Sequence, residues 1–270
     1  MTRNTPSISR RTALRTVAGA SLGCFAGCLQ GDWTGSNGSN GPLQQVGVEG
    51  TELVVELAPA ASISQVTLVQ ANGELFDQQA VPNGTEQVSF ELDTTYSPGD
   101  YRVVAQRQEE AINEKTVTVR PALQIEDIDL YRNVPEKPWN EIYGDTETDR
   151  LKNGEAFVTV KNSGSGPEAA AGLTFSGDVP NPVNDPRGSG MYDVETVIVK
   201  PGEKTDLFSD SFPFGPRSES GMGCSPDGNN GEFTVAVKTR AGPTPVTKTF
   251  AVQYSGSEQM HDCEVSITEI

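Results

Sequence analysis

Histidine, cysteine and methionine come together near the end of the chain, where residues 260–263 read Met-His-Asp-Cys. Blue-copper centres use these residue types, but they need two histidines, and the whole sequence contains one, His261. A structural zinc site is also short of ligands, because Cys224, Cys263 and His261 are fewer than the four that such sites use. A Ser-His-Asp triad would have to use His261, and no serine lies in a Gly-x-Ser-x-Gly elbow. We therefore predict no catalytic residues, no metal site and no cofactor, and we do not expect an enzyme.

Oxygen ligands for a cation are present in residues 225–233, which read SPDGNNGEF. Asp227, Asn229 and Glu232 could bind calcium, but the glycine spacing differs from that of an EF-hand loop. A solvated turn is the favoured interpretation, and a calcium site is the alternative. Carboxylates are numerous throughout the chain, with 37 Asp and Glu residues, so the sequence does not locate an acid–base pair among them.

Cysteine chemistry of another kind is indicated at the N-terminus, where an apolar run ends in Phe25-Ala26-Gly27-Cys28. A small residue before the cysteine lets a peptidase approach, and the thiol can take lipid through its sulfur. The apolar run from Thr16 to Gly27 would rise about 18 Å as a helix, too short for a hydrocarbon core of about 30 Å. A basic flank, a short apolar core and small residues at its end predict a signal peptide over residues 1–28.

The segment SRRTALR, residues 9–15, resembles the twin-arginine export signal, and FAGC resembles a lipoprotein lipobox, with Cys24 as a competing site. Together with the acid excess, these motifs resemble the secreted lipoproteins of halophilic archaea. The resemblance implies export through Arg10 and Arg11, and a lipid on Cys28 that anchors the protein to the outer face of the cytoplasmic membrane.

The formal net charge is −17 and the pI is about 4.4. Such a chain repels nucleic acid, since nucleic-acid binding depends on phosphate neutralisation by Lys and Arg, so we expect no nucleic-acid partner. Self-repulsion of the charges is screened at about 1 M salt, where the Debye length is about 3 Å, so the composition suits a halophilic habitat.

Residues 29–44 are rich in Gly, Ser and Asn and predict a flexible tether between the anchor and the folded part. Two glycosylation sequons stand in the chain, at Asn37 and Asn83.

Short runs of alternating or apolar residues, separated by turn residues such as NG and SPGD, fill the rest of the chain. This period-2 pattern predicts an all-β fold of two tandem Ig-like antiparallel β-sandwiches, over 45–120 and 121–270. In the first, YSPGDYRVVA resembles the E–F corner of Ig-like and fibronectin-like modules, with Tyr101 at the start of the strand. In the second, VTVKNSGSGPEAAAGLTFSG and VKPGEKTDL resemble sandwich modules of the CARDB kind.

If each strand of the second sandwich is antiparallel to the next, its long connections, at about 133–154, 179–192 and 213–231, all lie at one end. Cys224 lies in the third of these connections and Cys263 follows the strand that finishes at the same end. A disulfide needs Cα atoms within about 7 Å, and an exported protein meets oxidising conditions. We therefore predict a Cys224–Cys263 disulfide, with two unpaired buried thiols as the alternative.

The same long connections carry the aromatic residues Trp139, Tyr143, Tyr192 and Phe214. Aromatics on rigid loops are common anchors of recognition surfaces, so these loops are candidates to bind a protein or glycan of the cell envelope. The alternative is that the loops fold over the end of the sandwich and bury their aromatics. The functional hypothesis is a lipid-anchored cell-surface protein with a structural or partner-binding role; the alternative is an accessory subunit, an enzyme or a solute-binding protein of the envelope.

Overall fold

The computed structural model describes residues 41–270, apart from 60, 61, 93, 146, 147, 149–152, 216, 217, 219 and 220. The chain divides into two units, and every described residue belongs to the second, Asp32–Ile270. The predicted signal peptide with Arg10, Arg11 and Cys28, and the sequon at Asn37, lie outside the described residues. Within the described residues, we find no helix that is both long enough and apolar enough to span a bilayer.

The first sandwich packs a three-stranded sheet, in the order β1-β2-β5, on a four-stranded sheet, in the order β4-β3-β6-β7. All of its strand pairs are antiparallel. The strands are β1 (Leu43–Glu49), β2 (Glu52–Leu57), β3 (Gln65–Val69), β4 (Leu75–Ala80), β5 (Gln87–Glu91), β6 (Gly99–Arg107) and β7 (Glu110–Val119).

Strand β6 shows why this segment forms a half-buried strand. Tyr101, Val103 and Ala105 are fully buried, whereas Arg102 points outward, as the pleat requires of alternate residues. The Tyr101 hydroxyl donates a hydrogen bond to the carbonyl oxygen of Ser97, 2.9 Å away. This contact is the tyrosine corner of Ig-like sandwiches, in which the ring is buried and its hydroxyl ties the preceding turn.

The second sandwich repeats this arrangement. A three-stranded sheet, in the order β12-β9-β8, faces a five-stranded sheet, in the order β11-β10-β13-β14-β15. Its strands are β8 (Leu123–Leu130), β9 (Ala156–Asn162), β10 (Glu168–Gly177), β11 (Val197–Val199), β12 (Lys204–Phe208), β13 (Asn229–Thr239), β14 (Val246–Gly256) and β15 (Cys263–Glu269). A one-turn helix, α1 (Trp139–Tyr143), and a 3₁₀ turn, Met260–Asp262, lie in its connections.

The seven strands of the first sandwich and the first seven of the second therefore follow the same order in space. The second adds β15 at the edge of its larger sheet, beside β14. Each sandwich encloses its own apolar core. The predicted fold class is confirmed: the protein is all-β, with two tandem antiparallel sandwiches.

Two details differ from the sequence-based expectation. We predicted a tether up to residue 44, but β1 begins at Leu43, which is buried. The segment LQQVGVE has weak alternation and follows a Gly/Ser/Asn-rich run, so its pairing with β2 was not evident. The one-turn helix α1 was also not predicted, because its residues are held by contacts with other loops rather than by helical periodicity.

Contacts between the sandwiches involve the connection between β9 and β10. The Tyr96 hydroxyl of the first sandwich donates to the carbonyl oxygen of Pro167, 3.0 Å away, and both atoms are buried. The backbone N–H groups of Ser165 and Gly166 donate to the carbonyl oxygen of Arg120. A side chain at Gly166 would collide with the Tyr96 hydroxyl, so this close approach requires glycine.

Candidate functional site: the loop end of the second sandwich

The long connections of the second sandwich, residues 131–155, 178–196, 209–228 and 257–262, follow β8, β10, β12 and β14. We call them together the loop end. Every strand pair in this sandwich is antiparallel, as predicted, so these four connections share one end of it. The short connections, 163–167, 200–203 and 240–245, are at the opposite end.

Backbone hydrogen bonds join the connections of the loop end to one another. The Phe214 N–H donates to the carbonyl oxygen of Gly154, and the Asn181 N–H donates to that of Pro213, both over 3.0 Å. The Asp210 N–H donates to the carbonyl oxygen of Gly190, also over 3.0 Å. The first three connections are therefore assembled into a single structure rather than projecting separately.

The predicted disulfide is confirmed. Cys224 in the third connection is bonded to Cys263 at the start of β15, with their Cα atoms 5.4 Å apart. Both cysteines are buried. The prediction rested on strand polarity and on expected export to oxidising conditions, and the polarity brings together two residues that are 39 positions apart.

Arg132 is the central polar residue of the loop end, and the sequence analysis did not identify it. Its guanidinium donates from Nε and Nη2 to the carbonyl oxygen of Asn153, and from Nη2 to that of Phe214. From Nη1 it donates to the carbonyl oxygen of Cys263 over 3.2 Å, and to the sulfur of the same residue over 3.0 Å. One side chain thus connects the first and third connections with β15.

Burial lowers the pKa of Arg132 to about 10, because a low-dielectric environment disfavours the charged form. The guanidinium stays charged at neutral pH, and its donors form hydrogen bonds with backbone carbonyl groups of the folded loops. No motif marks such an arginine in sequence, because its partners are backbone atoms of distant residues.

An aromatic cluster covers the outer face of the three-stranded sheet. Trp139, which is 3% exposed, stacks on Tyr143 with ring centroids 5.8 Å apart, and contacts Phe157 of β9 at the same distance. Phe208 of β12 completes the contact, 6.0 Å from Trp139. Phe157 alternates along β9 with core residues, so it faces away from the sandwich core, and the first connection buries it by folding back over the sheet.

Tyr143 and Tyr192 are joined by polar contacts within this cluster. The Tyr143 hydroxyl donates to the carbonyl oxygen of Ser209 over 2.9 Å, and the Tyr192 hydroxyl donates to that of Tyr143 over 3.2 Å. Burial and the nearby Glu155 carboxylate raise the pKa of Tyr143 well above its ordinary value. Tyr143 is therefore a neutral phenol in the folded protein, and its hydroxyl donates a hydrogen bond to the backbone.

Phe214 is fully buried in the main core, where its ring lies 5.2 Å from that of Phe233. Trp139, Tyr143 and Phe214 are therefore not exposed anchors, because each is more favourably packed than solvated. Tyr192 is half-buried. A binding role for the loops stays a prediction, but these three rings do not form its contact surface.

Among the described residues of the loop end, Phe212 is an exposed aromatic, with 43% of its surface accessible. Its backbone is held by two hydrogen bonds to its carbonyl oxygen, from Asn181 Nδ2 over 3.0 Å and from the Gly215 N–H over 3.3 Å. The arrangement presents an apolar ring from a fixed backbone, which is how loop aromatics act as binding anchors.

A surface cavity of about 630 Å³ lies beside Arg132. Its lining is polar and includes Asn133, Asn153, Gln253, His261 and Ser266. The Asn133 amide donates to the carbonyl oxygen of Val265, and with Arg132 it caps carbonyl groups of β15 that have no neighbouring strand on that side. Such a cavity could accept hydrogen-bonding ligands.

Two of the candidate zinc ligands, Cys224 and Cys263, are joined in the disulfide, so neither offers a free thiolate. His261 is exposed, and its imidazole lies 3.3 Å from the carboxylate of Asp262. Asn229 donates to the carbonyl oxygen of Gly223, which supports a turn, and Asp227 and Glu232 are exposed. Among the described residues, no group of three or more His, Cys, Asp or Glu side chains could hold a metal ion. Asn83 is exposed in a turn, and use of its sequon stays a prediction.

No family model and no curated protein matches the chain. Solved structures with a similar fold include a two-domain fibronectin type III segment from chicken tenascin, with 12% identity, a TM-score of 0.27, and coverage of 84% of this chain and 97% of that one. The human OSCAR ligand-binding domain matches with 11% identity, a TM-score of 0.21, and coverage of 83% and 92%. A β-glucuronidase of glycoside hydrolase family 2 matches with 14% identity and a TM-score of 0.23, over 78% of this chain and 19% of the enzyme. These likenesses concern the β-sandwich fold alone.

Proposed function

We propose that this protein is an exported, lipid-anchored cell-surface protein whose second sandwich presents a partner-binding surface at its loop end. Arg10, Arg11 and Cys28 support export and anchoring, as the resemblance to twin-arginine-exported lipoproteins implies. The acid excess supports the proposed halophilic habitat. The partner is a protein or a glycan of the cell envelope.

The observation that carries the proposed binding role is the exposure of the Phe212 ring on a backbone that hydrogen bonds hold in place. Long connections are costly to order, and in this sandwich they are held together by hydrogen bonds, a disulfide and a buried aromatic cluster. A structure of this kind needs no exposed aromatic for its own stability. Phe212 nevertheless stays exposed on a held backbone, where its ring gains by burial against a partner.

In-cell photo-crosslinking tests the proposal. A photoreactive amino acid replaces Phe212 in one strain, and Leu75 in a matched strain, since Leu75 is 56% exposed on the first sandwich. We expect a discrete cross-linked product from position 212 that is absent from position 75. Identification of the attached molecule by mass spectrometry then names the partner. The same products from both positions, or no product from position 212, would contradict a binding surface at the loop end.

The polar cavity beside Arg132 favours a second candidate function, that of a solute-binding or accessory protein of the envelope. Substitution of Phe212 separates the two candidates. The Phe212→Ala variant loses its macromolecular partner under the first candidate, whereas under the second it keeps its solute.

A further inference from the structure

The two sulfur atoms of the Cys224–Cys263 disulfide lie in different electrostatic environments. Arg132 donates from Nη1 to the Cys263 sulfur over 3.0 Å. Its guanidinium is held there by the carbonyl oxygens of Asn153 and Phe214, so the positive charge has a fixed position. On the other side, the Cys224 sulfur lies 3.5 Å from the carbonyl oxygen of Glu264.

These neighbours favour opposite protonation states once the bond is opened. A cation next to a sulfur stabilises the thiolate, and the thiol with the lower pKa is the better leaving group in thiol–disulfide exchange. A carbonyl oxygen repels a thiolate but accepts a hydrogen bond from a thiol. The thiolate would also offset the unfavourable burial of the Arg132 charge. The site is therefore arranged for one thiolate, at Cys263, and one thiol, at Cys224.

We propose that Cys224–Cys263 is a thiol-exchange site that takes a dithiol as reductant, and that Cys263 is its leaving and reactive sulfur. The Cys224 sulfur is buried in the folded state, so a local opening of the connection 209–228 must first expose it. One thiolate of the dithiol then attacks the Cys224 sulfur, the Cys224–Cys263 bond breaks, and Cys263 leaves as a thiolate paired with Arg132. The second thiol of the dithiol gives up its proton and displaces the Cys224 sulfur, which takes up that proton and becomes a thiol hydrogen-bonded to the Glu264 carbonyl oxygen. The dithiol is oxidised to a cyclic disulfide, and the protein disulfide is reduced by two electrons.

This inference goes beyond the proposed function and does not depend on it, but it has a consequence for the loop end. Cys224 and Phe212 belong to the same connection, 209–228. Opening the disulfide removes the covalent link between that connection and β15, so the setting of Phe212 becomes sensitive to dithiols.

The test uses the full chain, reduced with dithiothreitol in native buffer and then exposed to a short pulse of iodoacetamide at values between about pH 5 and about pH 9. Mass spectrometry of peptides reads Cys224 and Cys263 separately from Cys24 and Cys28. We expect Cys263 to be alkylated about tenfold faster than Cys224 at about pH 6, and the difference to shrink as the pH rises past the ordinary thiol value of about 8.5. Equal rates, a faster Cys224, or reduction that occurs only in denaturant would overturn the proposal.

Charge variants assign the effect to Arg132. Among the described residues, the other titratable side chains next to Cys263 in the chain are those of His261, Asp262 and Glu264, and all three are exposed to solvent. We expect Arg132→Lys to keep a preference for Cys263, and Arg132→Met to abolish it. Lys137→Met is the matched control, because Lys137 lies in the same connection but contacts Asp206 rather than sulfur. If Arg132→Met does not fold, the wild-type pH profile still tests the proposal, because it shows directly which of the two cysteines is alkylated faster.

Discussion

The two sandwiches share one strand order but differ in the length of the connections between their strands. In the first, tight turns such as residues 70–74 and 107–110 join strands that pair in the same sheet. Its core is a single cluster of buried apolar residues. In the second, the loop end adds a satellite cluster around Trp139, a half-buried arginine, Arg132, and a disulfide. The second sandwich thus needs extra interactions to order chain that its sheets do not hold.

The comparison also shows two uses of the same residue types. Arg102 of the first sandwich forms an exposed ion pair with Glu114, at 3.4 Å, with both side chains about half exposed. Arg132 of the second is half-buried, with its guanidinium among carbonyl groups. Exposed ion pairs contribute little to stability, whereas buried hydrogen-bonded charges are expensive to remove. The stability of the second sandwich is therefore expected to depend on a single arginine, whereas that of the first is not.

The largest effect is expected from Arg132→Met. The change removes the guanidinium donors from three partly buried carbonyl oxygens, those of Asn153, Phe214 and Cys263. We expect a loss of about 4 kcal/mol in the free energy of unfolding of the second sandwich, measured by urea denaturation.

Arg102→Met is the matched control for this prediction. It removes an exposed arginine from a strand of the first sandwich, and the expected loss is below about 0.5 kcal/mol. Similar losses from the two substitutions would show that the sandwiches do not differ in the way described.

A somewhat smaller effect is expected from Trp139→Ala. The ring fills the centre of the satellite cluster and its Nε1 donates to the carbonyl oxygen of Val134 over 3.0 Å. We expect a loss of about 3 kcal/mol, read from the urea midpoint of the second sandwich. Phe212→Ala serves as control, since this exposed ring at the same end should change stability by less than about 0.5 kcal/mol. Equal effects would mean that the cluster does not stabilise the loop end.

The sequence predicted the strands and their polarity because both follow from local pattern. In β6, alternate residues are buried, and period-2 alternation is visible without knowledge of any other segment. Polarity then placed Cys224 near Cys263, since antiparallel neighbours return the chain to the same end at every second connection.

The roles of the loop residues did not follow from the sequence because they depend on which surface a connection covers. Phe157 reads as an outward residue of a strand, and it is buried because the first connection folds back over it. Trp139 and Tyr143 were therefore predicted as candidate anchors, although each packs against Phe157 or its neighbours. Arg132 gave no signal, since its partners are carbonyl groups that only the folded loops bring together.

The smallest effect concerns the charge at Asp129 of β8, beneath the aromatic cluster. Burial, followed by the carboxylate of Asp127, raises the pKa of Asp129 in the folded state, and Asp206 adds to this, although Lys137 acts in the opposite direction. A carboxyl whose pKa is higher folded than unfolded binds protons more tightly in the folded state, so stability falls as the pH rises through that range. Asp129→Asn should therefore raise the urea midpoint at neutral pH, and the gain over wild type should disappear below the unfolded value of about 4. Asp77→Asn, on an exposed strand of the first sandwich, is expected to change the urea midpoint neither at neutral pH nor in acid. A loss of stability at neutral pH, or a gain that persists in acid, would show that hydrogen bonding rather than charge determines the contribution of Asp129.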